Sequence, residues 1–431
     1  EYIINNSESK IVICRNQEYV DRVNSFKANL PLVTKFIASN ANLPDESWLG
    51  FDDWIKDETD NNPNEDINND DAVYQMYTSG TTGRPKGVII VQSNVIANIN
   101  QTENWVERID NIKNLLVAPV YHAAAAINLL NTVSRGGSIV VHEDFNPVEV
   151  AKTLSEQNIT NTVMVPAMIQ ACIYMVPDID KMNFSNLDHI SYGGSPISPE
   201  VLTKAMDVFK CDFGQGFGMT ENVAVLCFLT FEDHKEALAD KPHLLKSCGR
   251  PVEGCTIEIR DSNEKEVPRG TIGQVCAHGP QVMKGYWKKE EASKETLAGG
   301  WLHTGDAGRM DEEGYVYIED RIKDMIVSGG ENIYSIEVES ALMEHPEITD
   351  AAVIGVPDEK FGEAVKAFIV TKDGKKIEQE EVIEFSKKLI AGYKTPKSVD
   401  IVEIIPRNPS GKILKKVLRE PFWEGKDRQV G

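Results

Sequence analysis

From about residue 72 to residue 230, short apolar runs rich in β-branched residues alternate with longer stretches whose apolar positions recur at helical spacing. SIVVHEDF (138–145) leads to NPVEVAKTLSEQ (146–157) and then to NTVMVPA (161–167), a strand, helix, strand order that predicts βαβ units and a parallel sheet. Two helix starts are marked by a capping residue followed by proline at the first helical position, Asn146 with Pro147 and Ser198 with Pro199. The most apolar stretch, TVMVPAMIQACIYMV (162–176), is short of a membrane span and carries Pro166 and Gln170. It predicts a buried strand running into a helix, and no transmembrane segment is expected. Between 255 and 320 the texture changes to alternating strands with Gly and Pro turns, as in TIEIRDSNEKEVPRGTIGQVCAHG (256–279), which predicts a β subdomain. Beyond GYVYIEDRIKDMIVSGG (314–330) the runs AAVIGV, KAFIV and VDIVEII surround the helical pattern EQEEVIEFSKKLI. The predicted fold is α/β: a large domain over 1–320, of parallel and mixed sheets with flanking helices and a β subdomain at about 255–320, then a small α+β domain over 321–431.

Charge narrows the partners. With 45 basic and 67 acidic side chains the chain carries a formal net charge of -22, so a duplex nucleic acid is excluded as an expected partner. DETDNNPNEDINNDD (57–71) holds seven carboxylates, five asparagines and one proline, can bury almost nothing, and predicts a solvated linker. The seven cysteines show no C-x-x-C pair and no zinc spacing with histidine, which suits a reducing, cytoplasmic setting. The chain begins at Glu1, inside what reads as a strand-and-helix pattern, so it is expected to be part of a longer protein, and a preceding leader stays open.

One stretch carries chemistry without carrying a core. TSGTTGRPKG (78–87) lies between the strand-like AVYQMY and VII and contains three glycines, three threonines, a serine, Arg84 and Lys86. Glycines let a backbone approach a ligand, hydroxyls and amides donate to phosphate oxygens, and the two cations supply charge. Phosphate is the natural ligand. The P-loop pattern cannot be aligned here, because Pro85 and Val88 stand where its second glycine belongs, and the dinucleotide glycine pattern does not fit either. A hairpin tip is the plain alternative.

Four later stretches decide between them. YTSGTTGRPKGV (77–88), GQGFGMTE (214–221), GWLHTGD (300–306), EDRIKDMIVSGGENIYSIEVE (319–339) and IPRNPSGKILKKVLRE (405–420) together resemble, in order, the motifs of the adenylate-forming (AMP-binding) superfamily, in its acyl- and aryl-CoA synthetase branch. The resemblance implies an adenylation domain over 1–320, lacking part of the relatives' N-terminal region, and a mobile lid domain hinged at Lys323. It assigns ATP phosphates to Thr78, Ser79, Gly80, Thr81, Thr82, Gly83 and Lys86, and the adenine surroundings to Gly193, Gly194, Ser195, Pro196, Gly216, Phe217, Gly218 and Met219. Phe217 replaces the tyrosine of many relatives, which leaves stacking on adenine without a phenol hydrogen bond. Thr220 falls to the phosphate region and Glu221 to Mg2+; read alone, that glutamate would be a solvated surface residue. Asp306 is implied as ligand of the ribose hydroxyls, with Ile318 and Arg321 beside it. Lys412 is implied as the catalytic lysine, stabilising charge on the reacting α-phosphate.

The same resemblance bears on the substrates. PVYHAAAAINLL (119–130) matches the segment lining the acyl pocket, where amino-acid-activating relatives place an aspartate; here there is no acid and four alanines leave apolar space. A fatty acid of medium or long chain, or an aryl acid, is favoured, with His122 orienting or gating its carboxylate and a core histidine as the alternative. The acceptor implied is coenzyme A, contacted by Ser328, Gly329, Gly330, Glu331, Tyr393 and Lys397; loading of a separate carrier protein is the second reading. The expected function is thus an AMP-forming acid-thiol ligase using ATP, Mg2+ and CoA on a small-molecule carboxylic acid, and a homodimer stays open.

Overall fold

The computed structural model describes residues 1–78, 84–102, 111–194, 197–407 and 412–424. They form mixed α/β structure in two compact units, Glu1–Ser93 with Met283–Ser293, and Asn94–Val282 with Lys294–Gly431.

In the first unit a parallel sheet of Ile11–Cys14, Lys35–Ala38 and Trp48–Gly50 is covered by the helix Gln17–Phe26. Asn16 caps that helix by accepting from the Tyr19 N–H, and Val20 and Val23 join Phe36 and Trp48 in the core. A second sheet orders Gly285–Tyr286, Lys86–Val91 and Ala72–Thr78, all antiparallel. Met283–Ser293 belongs here because Trp287 Nε1 donates to the Asn6 carbonyl at 2.8 Å and Lys288 pairs with Glu8. Residues 57–71 are exposed throughout, as their composition requires.

Among its described residues the second unit carries three sheets. The largest has seven strands in the order Arg250–Pro251, Cys227–Leu229, Asp212–Phe217, His189–Gly193, Asn161–Met164, Lys113–Leu116, Ser138–Val141, the last five parallel. The marked helix starts hold: Asn146 accepts from the Val148 and Glu149 N–H groups, and Ser198 from that of Val201. The stretch 162–176 is strand Asn161–Met164 followed by helix Pro166–Met175, whose Ile169, Cys172 and Ile173 are buried. Thr256–Arg260, Gly273–His278, Leu302–Met310 and Val316–Arg321 form an antiparallel sheet over Ile257, Val275, Leu302 and Val316. The third sheet combines Glu331–Ile333, Ile326–Ser328, Gly362–Thr371, Ile348–Asp358 and Ser398–Ile401, with helices Ser335–Met343, Gln379–Ser386 and Lys415–Trp423. No helix among the described residues is long and apolar enough to cross a membrane.

Candidate active site

Parallel strands end together, and their C-terminal ends are where a ligand can approach backbone. His189–Gly193 and Asp212–Phe217 run side by side with Gly193 opposite Gly216. A Cβ on Gly193 would stand 2.4 Å from the Gly216 carbonyl oxygen, so the close approach demands glycine. At Gly218 the constraint is tighter, with a Cβ only 2.0 Å from the Ala224 oxygen. Between them the chain makes the one-turn helix Thr220–Asn222, closed as Asn222 N–H donates to the Met219 carbonyl and Asn222 Oδ1 accepts from the Met219 N–H. It then turns through Val223 at φ 70°, ψ -61°, with the Ala224 N–H donating to the Asn222 carbonyl at 2.9 Å. That is a γ-turn of the rare positive-φ form, costly for a β-branched residue and held by its surroundings. In this segment Glu221 is 5% exposed, a buried carboxylate where the sequence alone suggested a solvated one.

The motif at 300–306 supplies the next group. Asp306 lies opposite Arg321 in the antiparallel register, and its Oδ1 is 2.5 Å from Arg321 Nε. Burial raises the Asp306 pKa above the ordinary carboxylate value, while Arg321 and then Lys412 pull it down. Thr304 fixes the approach, donating to the Val275 carbonyl and accepting from the Asp306 N–H. Ile318, on the Arg321 strand, packs against the cluster of Leu226, Cys227, Val275 and Leu302, and so do Phe217 and Met219. The GFGMTE segment and the Asp306–Arg321 pair thus share one apolar floor.

Lys412 reaches this group from the far end of the sequence. The residue is exposed, yet lost hydration, with the Arg321 guanidinium next in effect, lowers its pKa to about 8, against the pull of Asp306. Lys412 in turn is felt at His122, whose pKa is lowered by burial first and by the Lys412 charge second, so its imidazole is neutral at pH 7. Lys323 is also held below the usual lysine range, mainly by burial. Lys412, Asp306, Arg321, Lys323 and His122 therefore form one electrostatic group.

Sequence reasoning missed what anchors Lys412. Three residues on, Lys415 pairs with Glu339 at 2.7 Å and donates to Ser335 Oγ, while Asp320 accepts from the Ser335 hydroxyl at 2.7 Å. Burial works against the Lys415 charge, but Glu339 and Asp320 outweigh it and raise its pKa. Arg419 pairs with Asp324 and donates to the Lys323 carbonyl. The available signal was spacing: Ser335 with Glu339, and Lys415 with Arg419, stand four apart on two helices and so share a face.

The remaining candidates divide. Ser79, Gly80, Thr81, Thr82, Gly83, Ser195 and Pro196 lie outside the described residues. Thr78 and Lys86 face each other at the base of their hairpin, with the Lys86 ammonium 3.9 Å from the Tyr286 ring centre. Gly194 takes φ +80° just beyond its strand. Ser328 and Glu331 close a two-residue hairpin around Gly329 and Gly330. Tyr393 is exposed and Lys397 donates its N–H to the Val365 carbonyl; among the described residues neither hydrogen bonds to the Asp306 group.

One carboxylate at Glu221 suits a small hard cation carried mainly by phosphates and waters; among the described residues no group of three or more His, Cys, Asp or Glu is gathered to cage a metal.

Comparison with known proteins bears on the family that the five motifs resemble. The family model described as AMP-binding enzyme matches residues 1–287, and that of the AMP-binding enzyme C-terminal domain matches 337–412. A medium/long-chain-fatty-acid–CoA ligase of Mycobacterium tuberculosis is 38% identical over 374 residues, 85% of this chain and 64% of the relative. A fatty acid–[acyl-carrier-protein] ligase of Streptomyces coeruleorubidus is 35% identical over 386 residues, 88% of this chain and 73% of the relative. The chain thus spans somewhat less than two thirds of the first relative and more of the second. Among solved structures, ATP-bound MatB from Rhodopseudomonas palustris superposes with a TM-score of 0.85 at 27% identity, covering 98% of this chain and 80% of that one.

Proposed function

The chain belongs to the AMP-binding enzyme family, and from that premise we propose an AMP-forming acyl-CoA synthetase working in two steps. A carboxylate attacks the α-phosphorus of ATP, forming the acyl-phosphate bond and expelling pyrophosphate. A thiol then attacks the acyl carbon, the thioester forms, AMP leaves with the electrons of the broken bond, and the thiol proton is released. The observation that carries this reading is the electrostatic coupling of Lys412 to Asp306, Arg321 and His122.

Each residue has a task in that scheme. Asp306, oriented by Arg321, accepts from the ribose hydroxyls and fixes the nucleotide. The Lys412 ammonium sits where negative charge grows on the α-phosphate, an interaction stronger in the transition state than in the ground state. Such a contact is worth about 3–4 kcal/mol of barrier. His122, neutral at pH 7, can donate one hydrogen bond to the incoming carboxylate without pairing it as a charge. Phe217 offers its ring to adenine, and Glu221 would hold Mg2+, which neutralises phosphate charge when bound. Thr220, Thr78 and Lys86 fall to the phosphates. The lid domain from residue 321, hinged at Lys323, would deliver Lys412 first and the Gly329–Gly330 turn second.

The apolar helix Ala123–Ser134, with Ala123, Ala125, Ala126 and Ile127 buried and no acidic side chain, supports a fatty or aryl acid over an amino acid. CoA is the acceptor we favour, in a cytoplasmic setting. The similarity to a carrier-protein ligase keeps that second acceptor specific. The test is AMP release from purified protein given ATP, Mg2+ and a panel of fatty and aryl acids, with either CoA or a phosphopantetheinyl carrier protein. CoA-dependent AMP is expected; AMP only with the carrier would assign the second reading, and ATP binding without AMP from either would overturn both.

A further inference from the structure

The Gly329–Gly330 turn hangs from its sheet by few bonds, and one of them comes from a buried carboxylate. Both glycines take positive φ, +62° and +88°, in a two-residue hairpin closed by Ser328 opposite Glu331. The strand leading into it, Ile326–Ser328, meets the long strand Gly362–Thr371 at a single register pair, Ser328 opposite Gly362. At the turn itself the Gly329 N–H donates to the Phe361 carbonyl at 2.8 Å. One residue before Ser328, where that ladder stops, the Val327 N–H donates to Glu363 Oε2 at 3.2 Å.

Glu363 is 4% exposed, and in its present position its carboxylate occupies space that a side chain at residue 355 would contest. A Cβ on Gly355 would stand 2.3 Å from Glu363 Oε2. Gly355 does not take a left-handed φ, so its missing side chain serves space rather than backbone conformation. Burying a carboxylate costs more than burying an apolar side chain of like size, so a buried Glu beside a glycine that accommodates it points to a positional task.

We propose that Glu363 is a positioning residue for thioester formation: through Val327 it fixes the Gly329–Gly330 turn, the part of the chain that meets the incoming thiol. The inference rests on the two-step reading above. Adenylation uses Lys412 and Asp306, whereas thiolysis uses the turn, so a displaced turn slows one step and spares the other. Misplacement by about 1 Å is enough for a large rate effect.

The experiment measures the two steps separately in the full chain, with octanoate, palmitate or cinnamate, whichever the wild type adenylates. Carboxylate-dependent ATP–pyrophosphate exchange reads the first step; a rapid chase of preformed acyl-adenylate with CoA, or with a phosphopantetheinyl carrier, reads the second. Glu363→Ala is expected to keep exchange within about twofold while the chase slows on the order of tenfold to a hundredfold. Glu363→Gln, which retains an acceptor oxygen, should recover most of the loss. Gly355→Ala, which displaces the carboxylate without removing it, should reproduce it. Retained exchange also shows that each variant is folded. If both steps fall together, or neither does, in variants of a wild type that makes thioester, the positioning role is wrong and the two-step reading stands. If the wild type exchanges but transfers to neither thiol, the two-step reading fails and takes this inference with it.

Discussion

At Lys412 two effects act against one charge: lost hydration and the Arg321 guanidinium favour the neutral amine, and Asp306 favours the ammonium. The protonated form is the catalytic one, so activity is present below the pKa and lost as pH rises through it. With a pKa of about 8, roughly nine-tenths is protonated at pH 7 and roughly one-tenth at pH 9. The adenylation kcat/KM should therefore fall with a midpoint near pH 8, and Lys412→Arg should move that limb out of the measurable range while lowering the rate. A second residue test is Gly218→Ala. Its Cβ would meet a backbone oxygen at 2.0 Å, so the γ-turn at Val223 must shift and Glu221 with it. Pyrophosphate exchange is expected to fall by at least about a hundredfold, read against a circular dichroism spectrum that stays native. At this scale Lys412, Asp306 and Arg321 were legible because their motifs are contiguous in sequence. Glu339 and Glu363 were not, since each acts on a group brought to it only by the folded sheet.

The helix Lys415–Trp423 carries the anchoring pair. Lys415 and Glu339 are both largely buried, so removing one partner leaves an uncompensated charge. Lys415→Met or Glu339→Leu alone should destabilise by about 3–5 kcal/mol, and the double variant should recover most of it, because an apolar pair needs no charge compensation. Urea denaturation of the four proteins completes that cycle. Elements with local signals were read correctly from sequence: the caps at Asn146 and Ser198, and the strand-to-helix passage through Pro166. What local signals could not give was the pairing of Gly285–Tyr286 with Lys86–Val91, a contact between distant segments that no periodicity encodes.

Over the whole molecule the net charge of -22 coexists with a site proposed for anionic ATP and CoA. Much of the excess lies in residues 57–71, which are exposed throughout. Replacing their seven carboxylates by the corresponding amides should leave unfolding free energy within about 0.5 kcal/mol, as measured by denaturation, because exposed charges make little net contribution. The fold class was legible from the alternation of strand and helix patterns, and the candidate chemistry from five motifs in order. The assembly of His122, Asp306, Arg321 and Lys412 required the structure. The most direct test of that assembly is carboxylate-dependent ATP–pyrophosphate exchange in wild type and Lys412→Ala. The account predicts exchange with a fatty or aryl acid, reduced on the order of a hundredfold or more in the variant while ATP binding is unchanged. A wild type that binds ATP but exchanges with no acid, or a variant that exchanges at the wild-type rate, would contradict it.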